Sequence, residues 1–483
     1  MIEPGKPFVS SAVETRLSRA QSRGFSTSLE ASGGEPLWTA DEIARATGGE
    51  ARGAFTATGV TFDSREVEPG DLFIALTGEA TDGHRFVAMA RGRGAGGLLV
   101  SEPADGPHVL VSDTTAALDA LARASRARGQ AAIVGVTGSA GKTGTKEALF
   151  AALDRQAPGG AHRSVKSYNN HTGVPLSLAR MPAKARYGVF EMGMNHSGEL
   201  AALTRLVRPH VAVVTTVASA HREYFRSEED IADAKGEIFQ GLEPGGTALI
   251  PYDNPHRERL CAAARPNAAR VLTFGRGEGA DIRAREAVPT AGGTFVAAVL
   301  PDQELCFTLS QPGDHWVGNA MAVLGAVWAL GGDLPAAGLA LSDLQGLAGR
   351  GARVPVPVDG GEALIIDESY NANPASMAAT LASLGAHGGR KLAVLGPMRE
   401  LGDLSARFHR ELAEPIRAAG VERAILVGPE FDELAREVDA VQVGSVEDAT
   451  AALSDMLRPG DHVLVKGSNS VGLARLVAAV KGG

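Results

Sequence analysis

Short apolar runs closed by glycine or polar residues recur along the chain from about residue 37, and amphipathic stretches separate them. The runs at residues 72–76, 133–137, 187–192, 211–217, 247–250 and 271–274 read as buried strands. Those at residues 363–366, 391–395, 423–427 and 462–465 repeat the pattern in the last third. Helical spacing lies between them, as in the capped start at Trp38-Thr39-Ala40-Asp41-Glu42-Ile43, the basic stretch 116–128 and the run 146–153. Strand and helix in alternation predict an α/β protein. Its middle, residues 130–332, reads as a doubly wound, mostly parallel sheet; residues 37–129 and 333–483 form smaller α/β units, the last Rossmann-like. Residues 331–335 (GGDLP) read as the second linker. Residues 1–36, polar and rich in Ser, Arg and Gly, read as a disordered extension without the apolar segment of a secretory signal.

A chain of 483 residues is too long for one core and fits about three domains. With 44% hydrophobic and 21% charged residues and a net charge of −9, it lacks the excess of cations that duplex nucleic-acid binding draws on. No apolar run reaches membrane-spanning length. Cys261 and Cys306 have no metal-ligand spacing and are too few for a disulfide framework, so they read as small hydrophobes in a reducing compartment.

The strongest chemical signal is Thr137-Gly138-Ser139-Ala140-Gly141-Lys142-Thr143, set between an apolar strand and a helical run. Such a loop brings backbone N–H groups and a helix N-terminus to phosphate oxygens, with Lys142 on the β/γ-phosphates and the Thr143 hydroxyl on Mg²⁺. Val136 stands where the general phosphate-loop pattern has its first glycine, and Gly135 comes one place early. Glu191 and His221 follow later strands and carry metal-competent side chains to the sheet edge where ligands collect. Lys235 lies on a helical pattern beyond them. In the last third, Gly349-Arg350, the segment Asp367-Glu368-Ser369-Tyr370-Asn371-Ala372-Asn373-Pro374 and Lys466-Gly467-Ser468 also fall at strand ends. An arginine on a separate domain facing a phosphate loop is a common way to neutralise phosphate charge.

Together these motifs resemble the Mur ligases, the ATP-dependent amide-forming enzymes that build the peptide of bacterial peptidoglycan. The family's Thr-Gly-(Ser/Thr)-x-Gly-Lys-Thr loop accounts for the displaced glycine. The resemblance implies ATP on Gly138, Ser139, Ala140, Gly141, Lys142, Thr143 and Gly144, with Asn319, Arg350 and Asp367 nearby. It implies two Mg²⁺ held by Thr143, Glu191, His221 and Lys235, the lysine carbamylated so that it becomes a carboxylate. Lys142, His221, Lys235 and Arg350 would be the catalytic set.

The substrate-facing motifs are similar to those of the branch that joins D-alanyl-D-alanine to UDP-N-acetylmuramoyl-tripeptide. They imply Ser64 and Arg65 on the uridine nucleotide, and Asn169, Asn170, Tyr370, Asn371, Asn373 and Lys466 on the peptide substrates. The implied protein is a cytoplasmic monomer that binds small molecules and no nucleic acid. Its N-terminal domain would hold the uridine nucleotide, and its C-terminal domain would bring the amine and close on the nucleotide. Departures from the pattern are Gly144 where threonine is usual, Trp316 where asparagine is usual, Pro397 where aspartate is usual, and Pro251-Tyr252-Asp253 near the adenine position. A folylpolyglutamate-type ligase, a plain nucleotide hydrolase and a nucleotide-gated binding protein are the other readings of the phosphate loop.

Overall fold

The computed structural model describes residues 36–78, 81–219, 223–290 and 293–482. Three sheets carry its three α/β domains. In the first, Gly59–Thr61, Asp71–Ile74, Gly97–Val100 and His108–Leu110 run parallel, and Glu50–Arg52 closes one edge antiparallel. This sheet's core, with Trp38, Leu72 and Leu118, continues into Leu176 and Ala179 of the middle domain. The Trp38 indole donates to the Ala179 carbonyl at 2.8 Å. Arg126, in the helix Thr114–Arg128 that ends the first domain, is buried with its guanidinium donating to the Val207 and Arg208 carbonyls. The expected basic helix thus spends one of its cations closing the end of Glu199–Val207.

The middle sheet has nine strands. Ala161–Arg163, Tyr187–Glu191, Ala132–Thr137, Val211–Val214, Thr247–Pro251, Arg270–Gly275 and the start of Ile282–Thr290 lie parallel in that spatial order. The Ala132–Thr137 strand is buried along nearly its whole length, as strands covered on both faces are. Beyond it the expected helix-strand alternation fails: Ile282–Thr290, Gly293–Val299 and Glu304–Leu309 form an antiparallel meander that extends the sheet. The two outer strands are half exposed and carry polar residues on one side, so no continuous apolar run announces them, whereas Gly293–Val299 between them is apolar and largely buried. Cys261 is buried as expected, whereas Cys306 is exposed on the meander.

Residues 331–335 are not a free linker. They turn the chain into the helix Leu334–Ser342, whose Leu334, Ala337 and Leu341 share a core with Leu149 and Leu153 of Lys142–Gln156. The third sheet places Ala352–Val358 antiparallel to Gly361–Glu368, followed by His462–Lys466, Lys391–Leu395, Arg423–Val427 and Ala440–Val443 in parallel.

Two departures from the family pattern explain each other. A Cβ on Gly144 would lie 2.9 Å from the indole edge of Trp316, so the large ring occupies the room a residue 144 side chain would need. Gly144→Thr is expected to destabilise the protein by ~1–3 kcal/mol through overpacking. Trp316→Asn in the same chain should restore the melting temperature. A single variant that melts with the parent would contradict the pairing.

Candidate active site

The phosphate loop is shaped by two glycines with positive φ. At Gly138 (φ 152°) a Cβ would fall 1.9 Å from the Thr215 hydroxyl, and at Gly141 (φ 82°) it would fall 2.8 Å from the Asn319 side-chain oxygen. Only glycine fits either place. Asn319, from Asp314–Ala329, thereby packs on the loop. The Ser139 hydroxyl both donates to the Ala218 carbonyl and accepts from the Ala218 N–H at 3.0 Å. Its side chain is committed to bracing the loop. Thr215 donates to the Ala140 carbonyl at 2.5 Å.

Lys142 and Thr143 open the helix behind the loop. Lys142 folds back to donate to the Gly138 carbonyl at 2.6 Å. Burial pushes its pKa down, opposed by the Glu191 carboxylate and reinforced by the Arg350 cation. Thr143 Oγ1 donates to Glu191 Oε2 at 2.7 Å, and Asn169 Nδ2 donates to Glu191 Oε1 at 2.8 Å. Both oxygens of a buried carboxylate are therefore oriented, and Asn169 acts on that carboxylate from the loop that follows Ala161–Arg163. Asn170, its neighbour, accepts from the Thr172 and Gly173 N–H groups in the turn that leads into Gly173–Ala179.

Lys235 is buried in Glu228–Gly236, and among the described residues no ion pair or hydrogen bond reaches its Nζ. Burial, and secondly the Lys142 cation, hold its pKa well below the usual lysine range. His221 lies outside the described residues. Among those described, no three or more His, Cys, Asp or Glu side chains gather as a metal site. Thr143 and Glu191 offer a hard-oxygen pair of the kind Mg²⁺ accepts beside nucleotide phosphates. Unmodified Lys235 offers none.

The third domain reaches this site. Arg350 Nη2 donates to Ser167 Oγ at 3.0 Å, and its guanidinium lies 4.1 Å over the Tyr370 ring. Asn373, capping Pro374–Gly385, also donates from Nδ2 to the Ser139 carbonyl at 3.3 Å. Asp367 is buried and supports this loop from behind, accepting from Gly349 N–H at 2.7 Å and Ser369 N–H at 3.1 Å. Lys466, buried at the end of His462–Lys466, donates to the Asn371 carbonyl at 2.9 Å and sits 3.6 Å from Glu368. Burial lowers its pKa. His315, in the cleft with Glu368 and Arg353, is held to a pKa of about 4 by burial, with Lys466 adding in the same direction.

Ser64 and Arg65 belong to the first domain. The Ser64 hydroxyl is 3.4 Å from the Met89 sulfur, and Arg65 makes a two-point contact with Asp63 at 2.7 and 2.9 Å. They follow Gly59–Thr61 at the end of a parallel strand, where ligands collect in such sheets. Sequence reasoning missed Ser167, which starts the Tyr168-Asn169-Asn170 segment one residue early. It also missed Lys146, a buried lysine on the phosphate-loop helix that donates to the carbonyls of Ser164 and Lys166.

A phosphate loop with an oriented carboxylate beside it, and an arginine reaching it from a further α/β domain, defines a three-domain ATP-dependent amide ligase. Sequence profiles assign the whole arrangement: "Mur ligase family, catalytic domain" matches residues 56–135, "Mur ligase middle domain" residues 136–327, and "Mur ligase, glutamate ligase domain" residues 353–469. The UDP-N-acetylmuramoyl-tripeptide--D-alanyl-D-alanine ligase of Escherichia coli is 35% identical over 453 residues, covering 92% of this chain and 98% of its own. A crystal structure of MurF from Acinetobacter baumannii matches with a TM-score of 0.81 at 30% identity, over 93% of this chain and 99% of that one. MurF ligase from Thermotoga maritima in complex with ADP matches with a TM-score of 0.74 at 28% identity, over 88% and 97%. The chain belongs to the Mur ligase family.

Proposed function

We propose that this protein joins D-alanyl-D-alanine to UDP-N-acetylmuramoyl-tripeptide at the expense of ATP. The observation that carries the reading is the approach of Arg350 and Asn373 to the phosphate loop, beside the Thr143–Glu191 pair. A plain hydrolase has no use for the further strand-end cluster of Tyr370, Asn371 and Lys466. The match to ligases of this name runs through the first domain, which speaks for the uridine-nucleotide substrate over a folate.

A carboxylate is a poor acyl donor at neutral pH. The tripeptide's terminal carboxylate oxygen therefore takes the γ-phosphoryl group of ATP, ADP leaves, and an acyl phosphate results. The amine of D-alanyl-D-alanine adds to its carbonyl carbon, the C–O bond to phosphate breaks, and the amine loses a proton. The protein's part is positioning and charge neutralisation. Lys142 turns from the Gly138 carbonyl to the β/γ-oxygens, Thr143 and Glu191 present oxygens for Mg²⁺, and Arg350 meets the transferring group. Mg²⁺, when bound, supplies Lewis-acid neutralisation of the phosphate charge. Lys235, a buried amine that no ion pair or hydrogen bond reaches among the described residues, would serve as a metal ligand once carbamylated, and His221 is the other ligand the family resemblance implies. Ser64 and Arg65 take the uridine nucleotide. Asn371, Tyr370 and Lys466 line the amine side.

All assigned groups come from one chain, so a monomer suffices. No helix among the described residues is long and apolar enough to cross a membrane; the use of ATP favours the cytoplasm as the compartment of the reaction. The domains divide near residue 130 and, because Leu334–Ser342 packs with the middle core, near residue 345 rather than 332.

The test is phosphate release from Mg-ATP with UDP-N-acetylmuramoyl-tripeptide, with and without D-alanyl-D-alanine, with the pentapeptide followed by mass. Release matched one for one by product, and dependent on both substrates, supports the ligase. ATP hydrolysis that ignores them points to a hydrolase.

A further inference from the structure

Ser167 lies where all three domains meet. From the third domain, Arg350 Nη2 donates to Ser167 Oγ at 3.0 Å; from the phosphate-loop helix, Thr143 Oγ1 lies 3.4 Å from the same oxygen. The residues on either side are tied to the first domain. Lys166 forms an ion pair with Glu66, and the Tyr168 ring stacks on Phe62 with centroids 5.8 Å apart at 29°. Phe62 and Glu66 bracket Ser64 and Arg65, the candidate uridine-nucleotide residues. Lys166 has a left-handed backbone (φ 49°), uncommon for a residue with a side chain. Its carbonyl is held there by buried Lys146 at 2.5 Å.

Proton counting gives the Ser167 hydroxyl a direction. A guanidinium only donates, so Ser167 Oγ accepts from Arg350. A carboxylate only accepts, so the Thr143 proton is committed to Glu191. The Ser167 proton is left to face Thr143 Oγ1. The result is a directed chain from Arg350 through Ser167 and Thr143 to Glu191, spanning the third and middle domains, with its central link set by contacts from the first.

We propose that Ser167 is a positioning residue of the ligase reaction: it holds Arg350 beside Thr143, and it takes its own place from the first domain through Lys166 and Tyr168. Occupancy of the uridine-nucleotide side thereby bears on where the arginine stands at the phosphate loop. This rests on the ligase reading given above.

A double-mutant cycle tests the assignment. Ser167→Ala should lower kcat about ten- to a hundred-fold, the loss expected for a hydrogen bond to a charged group, with KM for ATP little changed. In an Arg350→Ala background the same substitution should cost less than about two-fold, because the interaction is already gone. Ser167→Thr keeps the hydroxyl and should recover most of the rate, a rescue that a merely structural role does not predict. Additive losses, or a parent-like rate in Ser167→Ala, would overturn the proposal. The same cycle read by thermal unfolding without substrates reports the Ser167–Arg350 contact itself. Absence of coupling there would also overturn it. A parent chain that makes no pentapeptide would instead remove the ligase reading and leave the unfolding cycle to decide the contact.

Discussion

Lys235→Ala is expected to lower the ligation rate by about 100- to 1,000-fold, the loss typical of removing one preorganised electrostatic group from a transition state. The lysine is fully buried, Lys142 shares its surroundings, and both burial and that like charge disfavour its ammonium form. Among the described residues no counter-ion faces its Nζ, and a buried unpaired cation costs several kcal/mol, which favours a neutral amine at this place. Carbon dioxide can add to such an amine. The addition would replace an amine whose charged form Lys142 repels with an anion that Lys142 attracts, releasing one proton, and would provide carboxylate oxygens for Mg²⁺.

The direction of the pKa shift sets the pH dependence. Carbon dioxide reacts with the unprotonated amine, whose share a lowered pKa raises; acidification would protonate it and the modification would be lost. Three outcomes follow. Lys235→Arg, which keeps a cation but cannot be carbamylated, should be as impaired as Lys235→Ala. Small carboxylic acids should restore part of the alanine variant's activity. Protein fed labelled bicarbonate should carry the label on Lys235. An alanine variant that turns over at the parent rate would remove Lys235 from the mechanism.

What the sequence made legible is local. The phosphate loop could be read because strand, glycines, Lys-Thr and helix are consecutive, and the parallel strands because each is a short apolar run. Glu191 and Asn169 could each be picked out, but their hydrogen bond joins separate stretches of the chain. The same holds for Gly144 and Trp316, which look like two unrelated oddities until the ring is found lying over the glycine. Composition misled at residues 331–335, where two glycines and a proline suggest a linker. The proline instead falls in the first turn of Leu334–Ser342, where it is well tolerated, and tertiary packing decides the rest. In the meander 282–309 the outer strands are masked because half-exposed antiparallel strands keep their polar side chains, while the apolar run at 295–300 is legible and its antiparallel pairing is not. Asp367 shows that a motif residue can be found while its work is not: it braces the Gly349-Arg350 turn.

Arg350→Ala is expected to reduce kcat by ~10³-fold, at the lower end for an arginine that neutralises a transferring phosphoryl group, while nucleotide affinity changes by only a few-fold. The difference between the two effects is the substance of the prediction. Lys142, the loop glycines and the helix N-terminus lie in the middle domain and would bind the ground state without help from residue 350. Arg350 comes from a turn whose backbone is hydrogen-bonded within the protein itself. Gly349 and Gly351 have positive φ (72° and 91°), Asp367 holds the Gly349 N–H, and the Leu347 carbonyl accepts from both Arg350 and Ala352. The guanidinium plane rests on Tyr370.

Such a turn delivers a planar fork in one orientation, which serves a charge that develops in the reaction more than one already present. Arg350→Lys should therefore recover little, because an ammonium neither stacks on Tyr370 in the same way nor forks. Asp367→Asn, which keeps the shape of the brace but weakens its acceptors, should fall between the parent and Arg350→Ala. Steady-state kcat for pentapeptide formation beside calorimetric nucleotide binding separates the cases. If Arg350→Ala weakens nucleotide binding as much as it slows turnover, the arginine binds ATP uniformly, and the third domain's role is to retain the nucleotide rather than to assist its transfer.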